Sequence, residues 1–305
     1  MKSPLIILNP AARSEKARHL HEEIRRVTAR TGGAEIRITS GPGDAEVIAR
    51  KAVGEGYTIL VAAGGDGTIN EVVNGIAAWE GQGESRVTLG ILPIGTMNVF
   101  ATELGIPLHS LEQAWKVILG GAWRGIDLPV CMVSGKTRCF VQLAGAGLDA
   151  EVVLQTTRES KKTFGPLSYL LSLARLAGRR PPLISVMADD GVERTGSFLL
   201  MGNGRFYGGP FRFFRDGSPS DGLLDVLLFR NQRSWDLLRY LYAILTGRQT
   251  AMRDVEYFQT TSLELTSMES VPYEFDGEMA GYLPLSIRVR RGMLPVLAPP
   301  ASISG

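Results

Sequence analysis

Hydrophobic positions follow two contrasting patterns along the chain. Over residues 1–125, short unbroken apolar runs alternate with stretches of helical spacing. The runs are PLIILNP from Pro4, YTILVAAGG from Tyr57 and VTLGILPIG from Val87, while AEIRITS from Ala34 alternates like a half-buried strand. Unbroken runs of this length suit strands covered on both faces, as in a parallel sheet. Between them, residues 14–30, 44–53 and DGTINEVVNGIAAW from Asp66 carry apolar groups at helical intervals. The βαβα rhythm predicts a parallel sheet covered by helices.

After Gly125 the segments shorten to IDLPVCMV, TRCFVQLAGAG, PLISVMAD, RTGSFLLMGNG, LLDVLLFR, SLELTS and LSIRVRR, many of them separated by turn residues such as SGK, ADDG and RDGSPSDG. That spacing predicts antiparallel strands in a sandwich or barrel. Helical stretches interrupt them at 160–176 and 234–246, and the tail from Pro295 reads as a loosely ordered end. The expected fold class is an α/β N-terminal domain over 1–125 and a β-rich antiparallel, sandwich-like domain over 126–290. Residues 291–305 are expected to pack back on the first domain.

Composition narrows the classes further. A chain of 305 residues exceeds the usual size of one core and suggests two domains. The formal charge of +2 gives no polyanion-binding character at the level of the whole chain, so no nucleic-acid partner is expected. The apolar runs SYLLSLARLAG from Ser168 and SWDLLRYLYAILTG from Ser234 are broken by charge well short of a membrane span of roughly 18 residues. The opening run ends at Asn9-Pro10, too short for a signal peptide. These features predict a cytoplasmic protein that touches a membrane only at its surface. Cys131 and Cys139 flank Ser134-Gly135-Lys136, and a three-residue loop there would set the thiols opposite one another. A reducing interior favours two inert or buried thiols instead.

The strongest chemical signal is Gly64-Gly65-Asp66-Gly67-Thr68, between a buried strand and a helix. Glycines there let a ligand approach the backbone, and a helix start offers free N–H groups and a positive dipole end, a setting for phosphate. The alternative is a tight turn with Asp66 as an N-cap. A bare carboxylate repels a triphosphate, so Asp66 points to Mg²⁺ binding or to an attacking hydroxyl. Pro93-Ile94-Gly95-Thr96-Met97-Asn98 is a second glycine-containing turn at a strand end. Asn9-Pro10, with Arg13 beyond, ends the first strand, and Thr39 the second. Four strand ends thus carry ligand-capable groups on one sheet edge, where open α/β sheets bind ligands.

LVAAGGDGTINEVVNGIA, LPIGTMNVFATELGIP, the leading LNP and the late FDGE together resemble the diacylglycerol kinase catalytic family, whose relatives include bacterial diacylglycerol kinases and sphingosine kinases. GGDGT alone is shared with NAD kinases and phosphofructokinases. The resemblance implies a nucleotide-binding α/β domain joined to a β-rich lipid-acceptor domain, with the active site in the cleft between them. It implies ATP contacts at Asn9, Pro10, Ala11, Ala12, Arg13, Thr39, Gly65, Asp66, Gly67, Thr68, Ile69, Asn70, Glu71 and Thr96. Glu278 matches the general base on the lipid hydroxyl, and Asp66 is the second catalytic candidate. Ser218, Asp221 and Leu223 match a structural Mg²⁺ site. Val99 stands where the family often has Asp; Pro210 replaces a glycine, and Arg215 and Gly217 also depart from the family pattern.

Structural readings stand beside these. Asp276-Gly277 can be only a hairpin turn, with Glu278 as surface charge. The basic run 158–180 reads as a solvated helix or as one lying on anionic headgroups. The aromatics and arginines of Phe206–Arg215 read as lipid-proximal packing. The expected function is transfer of phosphate from ATP, with Mg²⁺, to a hydroxyl of diacylglycerol or a related lipid, in phospholipid metabolism. The alternatives are an NAD kinase and a catalytically silent nucleotide or lipid sensor. A lipid substrate and peripheral contact with the inner membrane face are the expected partners, and a homodimer is compatible with all of this.

Overall fold

The computed structural model describes residues 2–10, 17–78, 87–155, 181–207, 209 and 211–300. The first elements are β1 (Leu5–Leu8), α1 (Ala17–Ala29), β2 (Glu35–Ile38), α2 (Asp44–Gly54), β3 (Ile59–Gly64), α3 (Asp66–Ala77) and β4 (Thr88–Pro93). β2, β1, β3 and β4 pair in that order, all parallel. Leu5–Leu8 and Leu60–Ala63 are at most 1% exposed, which is why these runs show no polar alternation. Two short helices follow, α4 (Val99–Glu103) and α5 (Leu111–Gly120). α5 was not anticipated, although its ends carry local signals. The Ser110 hydroxyl accepts from the Gln113 N–H at 3.2 Å, and Gly121 adopts the left-handed conformation beyond the last turn.

The second half contains β5 (Trp123–Val133), β6 (Lys136–Cys139), β7 (Leu143–Ala146), α6 (Leu148–Gln155), β8 (Ile184–Ala188), β9 (Glu193–Gly196) and β10 (Phe198–Gly202). These are followed by β11 (Phe206–Tyr207), β12 (Phe211–Arg212), β13 (Leu224–Phe229), α7 (Ser234–Leu245) and β14 (Val255–Thr260). The chain closes with β15 (Ser262–Ser267), β16 (Pro272–Phe275), β17 (Glu278–Tyr282) and β18 (Leu285–Leu297). β14, β13, β10, β7, β16 and β17 form an antiparallel sheet. The fold class is thus the expected one. TRCFVQLAGAG and RTGSFLLMGNG each break into two strands, α6, β11, β12 and β14 are additional, and the helical stretch 160–176 lies outside the described residues.

The expectation of a loose tail from Pro295 is corrected for Pro295–Leu297, whereas residues 301–305 lie outside the described residues. β18 runs through Pro295 to Leu297, pairs with β5, and meets β4 in parallel at Val296 and Leu89. It joins the parallel strands to the antiparallel pairs β15–β8 and β8–β9, so one ten-stranded sheet spans both halves of the chain. The register with β5 shifts between Arg290 and Leu294, at left-handed Gly292. Such a bulge re-aims the side chains that follow. Leu285 and Ile287 therefore enter the core of the antiparallel half, whereas Leu294, Val296 and Leu297 enter the core of the parallel half.

The three-residue loop between the cysteines is also corrected. Val133 pairs with Lys136, so the loop is Ser134-Gly135, both with positive φ, as a two-residue hairpin turn requires. Cys131 faces Arg138 and Cys139 faces Val130, and the two free thiols enter different cores. Burial raises both thiols, Cys131 to about 12.

Candidate active site

Two turns at the carboxyl edge of the parallel strands meet backbone to backbone. The N–H groups of Ile94 and Gly95 donate to the Gly64 carbonyl at 3.1 and 3.2 Å. The Asn98 side chain closes the second turn, accepting from the Gly95 N–H and donating to its carbonyl, both at 3.0 Å. A Cβ on Gly95 would overlap Gly65 Cα and stand 2.7 Å from Asn98 Oδ1. Gly95→Ala is expected to destabilise the fold by about 1–3 kcal/mol and to weaken nucleotide binding by calorimetry. Unchanged affinity would show that the two turns do not act together.

Thr68, buried in the first turn of α3, accepts from Asn9 Nδ2 at 2.9 Å, tying the end of β1 to the GGDGT turn. Thr96 is exposed at the tip of the second turn, and Thr39 is buried where its N–H donates to the Leu8 carbonyl at 2.9 Å. Pro10 directly follows Asn9, whereas Ala11, Ala12 and Arg13 lie outside the described residues.

Asp66 does not cap its own helix, because Gly65 is the N-cap of α3. Its Oδ1 instead accepts from the Phe100 N–H at 3.1 Å, at the start of α4. Burial raises this carboxyl, and the N–H groups at that helix start oppose the rise. Asp66 thus holds the two turns together, a duty the sequence did not disclose.

Beyond the first turn, the side chains of α3 lead elsewhere. Ile69 is wholly buried in the core. Asn70 Nδ2 donates to Asp276 Oδ2 at 2.7 Å and to the Cys139 carbonyl at 3.2 Å. Asn74 pairs with the backbone of Cys139 in both directions at 3.0 Å. Glu71 accepts from the Gly43 and Ala45 N–H groups at 2.9 and 3.1 Å, at the start of α2. The Ile69 N–H also donates to the Gly65 carbonyl at 3.1 Å, so these three residues are engaged within the fold, whereas Gly65 and Gly67 are half-exposed at the turn.

β16 and β17 form a hairpin, with Phe275 paired to Glu278 across Asp276-Gly277. Both loop residues have positive φ, +48° and +82°, a conformation Asp tolerates and Gly favours. Although Asp276 as a residue is only half-buried, its carboxylate is enclosed. It accepts from Val141, Gln142 and Leu143 N–H groups at 2.9, 3.0 and 3.0 Å, and from Asn70. Burial pushes it up to about 6 against these bonds. The hairpin turn therefore exists, and its Asp also fastens β17 to α3. Exposed Glu278 consequently projects over the GGDGT turn: a Cβ on Gly67 would stand 3.1 Å from Glu278 Oε1. Glu71 is near enough for the Glu278 charge to add to the upward push of burial on its own carboxyl.

Two further polar clusters border this face. Wholly buried Glu274 accepts from the Gly277 N–H at 2.6 Å, and its carboxyl is raised by burial and by the charge of buried Asp149, which in turn accepts from the Tyr207 hydroxyl. On α4, buried Glu103 accepts from Arg205 Nε at 2.9 Å and from the Arg205 and Phe206 N–H groups. Neither cluster had a signal in the sequence, since each joins residues far apart in the chain.

Away from these turns, Asp221 Oδ1 accepts from the Leu223 N–H at 3.0 Å, two residues on. Asp127 accepts from Gly222 and Gly292 N–H groups at 2.5 and 2.6 Å. Burial and the Asp127 charge raise Asp221, and burial pushes Asp225 up to about 7. Asp225 Oδ2 is buried without a hydrogen-bond partner. Crowded carboxylates of this kind fit a small cation. Among the described residues, no three His, Cys, Asp or Glu side chains converge as ligands, so waters and backbone oxygens would complete its shell.

The family described as "Diacylglycerol kinase catalytic domain" matches residues 3–131, and the "YegS C-terminal NAD kinase beta sandwich-like domain" matches residues 142–298. A "Diacylglycerol kinase" of Bacillus subtilis (strain 168) is 30% identical, covering 93% of this chain and 92% of its own. A "Probable lipid kinase YegS-like" of Pseudomonas aeruginosa PAO1 is 34% identical, over 92% and 91%. A solved structure of a Bacillus anthracis (strain Sterne) protein, provisionally called a diacylglycerol kinase, superposes with a TM-score of 0.82 at 25% identity. It covers 99% of this chain and 97% of its own.

Proposed function

Because this chain belongs to the diacylglycerol kinase and YegS-like lipid kinase family, we propose that it transfers the γ-phosphoryl group of ATP to a hydroxyl of diacylglycerol or a related lipid. The observation that carries this reading is the approach of Glu278 to Gly67, a carboxylate from the β-rich half over the glycine turn of the α/β half. The nucleotide would lie on the turns of Gly65–Thr68 and Gly95–Thr96, where backbone N–H groups and the α3 dipole offset phosphate charge. Asn9 and Thr39 flank these turns, and residues 11–13 are proposed as the further edge of the site.

Glu278 accepts the proton of the acceptor hydroxyl as that oxygen bonds to the γ-phosphorus and the bond to the bridging oxygen breaks, leaving ADP. The neighbouring turns hold donor and acceptor in line, and positioning supplies most of the rate in this chemistry. Mg²⁺, when bound, neutralises charge on the phosphate oxygens. Asp66 would hold it, directly or through water, with the carboxylate oxygen that does not accept from the Phe100 N–H. A second, structural Mg²⁺ would be held by Ser218, Asp221 and Leu223. Saturating Mg²⁺ is then expected to stabilise the wild type by about 2.7 kcal/mol at a hundredfold excess over Kd, and Asp221→Asn to respond far less in thermal unfolding. Equal responses would remove the second site.

Among the described residues, no helix is long and apolar enough to cross a membrane. The lipid acceptor is proposed to be met at a membrane surface, on the cytoplasmic side. The parallel-strand half, over 1–125, would carry the nucleotide, and 126–290 would carry the acceptor. Radiolabelled ATP with diacylglycerol, sphingosine, ceramide, phosphatidylglycerol and NAD tests the reading. Label in any of the lipids supports it, and label in NAD alone sinks it.

A further inference from the structure

α7 is apolar on both of its faces, and only one of them is covered. Leu237, Tyr240 and Ala243 are buried, with the Tyr240 ring 4.9 Å from Phe229 and 6.2 Å from Phe198. On the opposite face, Trp235, Leu238 and Tyr242 follow at i, i+3 and i+7 and are 77%, 56% and 64% exposed. An ordinary surface helix carries polar groups there. Three large apolar side chains aligned on one outward stripe are a contact surface rather than scattered exposed residues.

Charge identifies what covers the stripe. Asp236 and Asp254 are both taken up by Arg239, at 2.8 and 2.6 Å. Arg233 immediately before α7, Arg248 just after it and Arg212 on neighbouring β12 are exposed, and none joins an ion pair among the described residues. The rim is therefore cationic, while the stripe holds Trp and Tyr, the residues that settle at the headgroup level of a bilayer. The face also continues toward the candidate active site. Gln249 Nε2 donates to the Phe213 carbonyl at 2.7 Å, tying the end of α7 to the β11–β12 hairpin, where Phe211 is exposed. A Cβ on Gly209 of that hairpin would stand 2.8 Å from Met97 of the second glycine turn.

We propose that α7 is the membrane-docking element of this protein: Trp235, Leu238 and Tyr242 enter the interface of an anionic bilayer, and Arg233, Arg248 and Arg212 engage its phosphates. The proposal rests on the lipid-kinase reading for its purpose. Its physical content is separate: a bilayer carrying no acceptor and no nucleotide is bound.

The full chain is sedimented with unilamellar vesicles of phosphatidylcholine, with and without phosphatidylglycerol. The wild type is expected to bind the anionic vesicles and lose binding as salt rises, with a blue shift of Trp emission that is absent in Trp235→Phe. Trp235→Ser/Leu238→Ser/Tyr242→Ser should lower binding at least tenfold. Arg233→Gln and Arg248→Gln should each lower it about fivefold on anionic vesicles alone. Because the three stripe side chains are exposed, thermal unfolding of the triple variant should match the wild type, and its turnover on a short-chain soluble acceptor should be unchanged. Equal vesicle binding by wild type and triple variant would overturn the proposal. So would a concentration-dependent dimer that the triple variant abolishes, which would assign the stripe to a second copy of the chain. Vesicle binding without lipid phosphorylation would instead remove the proposed activity and leave this surface standing.

Discussion

Glu278→Gln is expected to lower kcat for lipid phosphorylation by about 10²–10⁴-fold, the usual contribution of a positioned general base. Nucleotide affinity by calorimetry and the unfolding midpoint should stay close to those of the wild type. The carboxylate is exposed at the start of β17, and no described ion pair or hydrogen bond depends on it. The amide keeps the shape and loses the basic oxygen, so the deficit should appear in turnover rather than in binding. Undiminished turnover would remove Glu278 from the chemistry and return the chain to a nucleotide- or lipid-binding sensor. Loss of nucleotide affinity alone would assign Glu278 to the nucleotide.

Asp276→Asn is expected to cost about 2–4 kcal/mol of stability in denaturant unfolding. Oδ1 of the carboxylate serves Gln142 and Leu143, and Oδ2 serves Val141 and Asn70. An amide can replace the first oxygen, but its NH₂ would then face two donors. Turnover should fall as well, because this carboxylate fixes the turn that carries Glu278. The pH dependence has a definite sign. Burial raises the folded carboxyl to about 6, above its unfolded value, so the folded state binds the extra proton between about pH 4 and 6. Wild-type stability should therefore fall across that window as pH rises, by up to about 3 kcal/mol from this group. The variant should lack that component. A slope of the same size in both proteins would assign the titration to another carboxyl.

Part of this site was legible in the chain because it is local. Gly64–Thr68 and Gly95–Asn98 follow unbroken apolar runs, and glycine at a strand-to-helix turn has a physical meaning wherever it occurs. Asp276-Gly277 likewise announces a two-residue hairpin through its own backbone preference. The side chains beyond those turns gave no such notice. Ile69, Asn70 and Glu71 look equivalent in the motif, yet one is core, one reaches Asp276 and one caps α2. Asp66 looks in the chain like a metal or substrate group, and its bond to the start of α4 is visible only once the two turns touch. Pro295 looked like the beginning of a loose end because proline and small residues follow it, whereas β18 carries it into the sheet beside β5 and β4.

Periods of apolar residues and glycine turns determine, from the sequence alone, that this chain builds a parallel α/β half with glycine turns at its strand ends and an antiparallel half. Backbone sterics and alternation act over a few residues, so they can be read in order along the chain. Tertiary structure alone decides that one sheet passes through both halves, that Asp276 is enclosed by residues 141–143, and that Glu278 stands over Gly67. Those pairings join residues more than a hundred positions apart. Only the packing of two cores, bridged by the bulge in β18, brings them together.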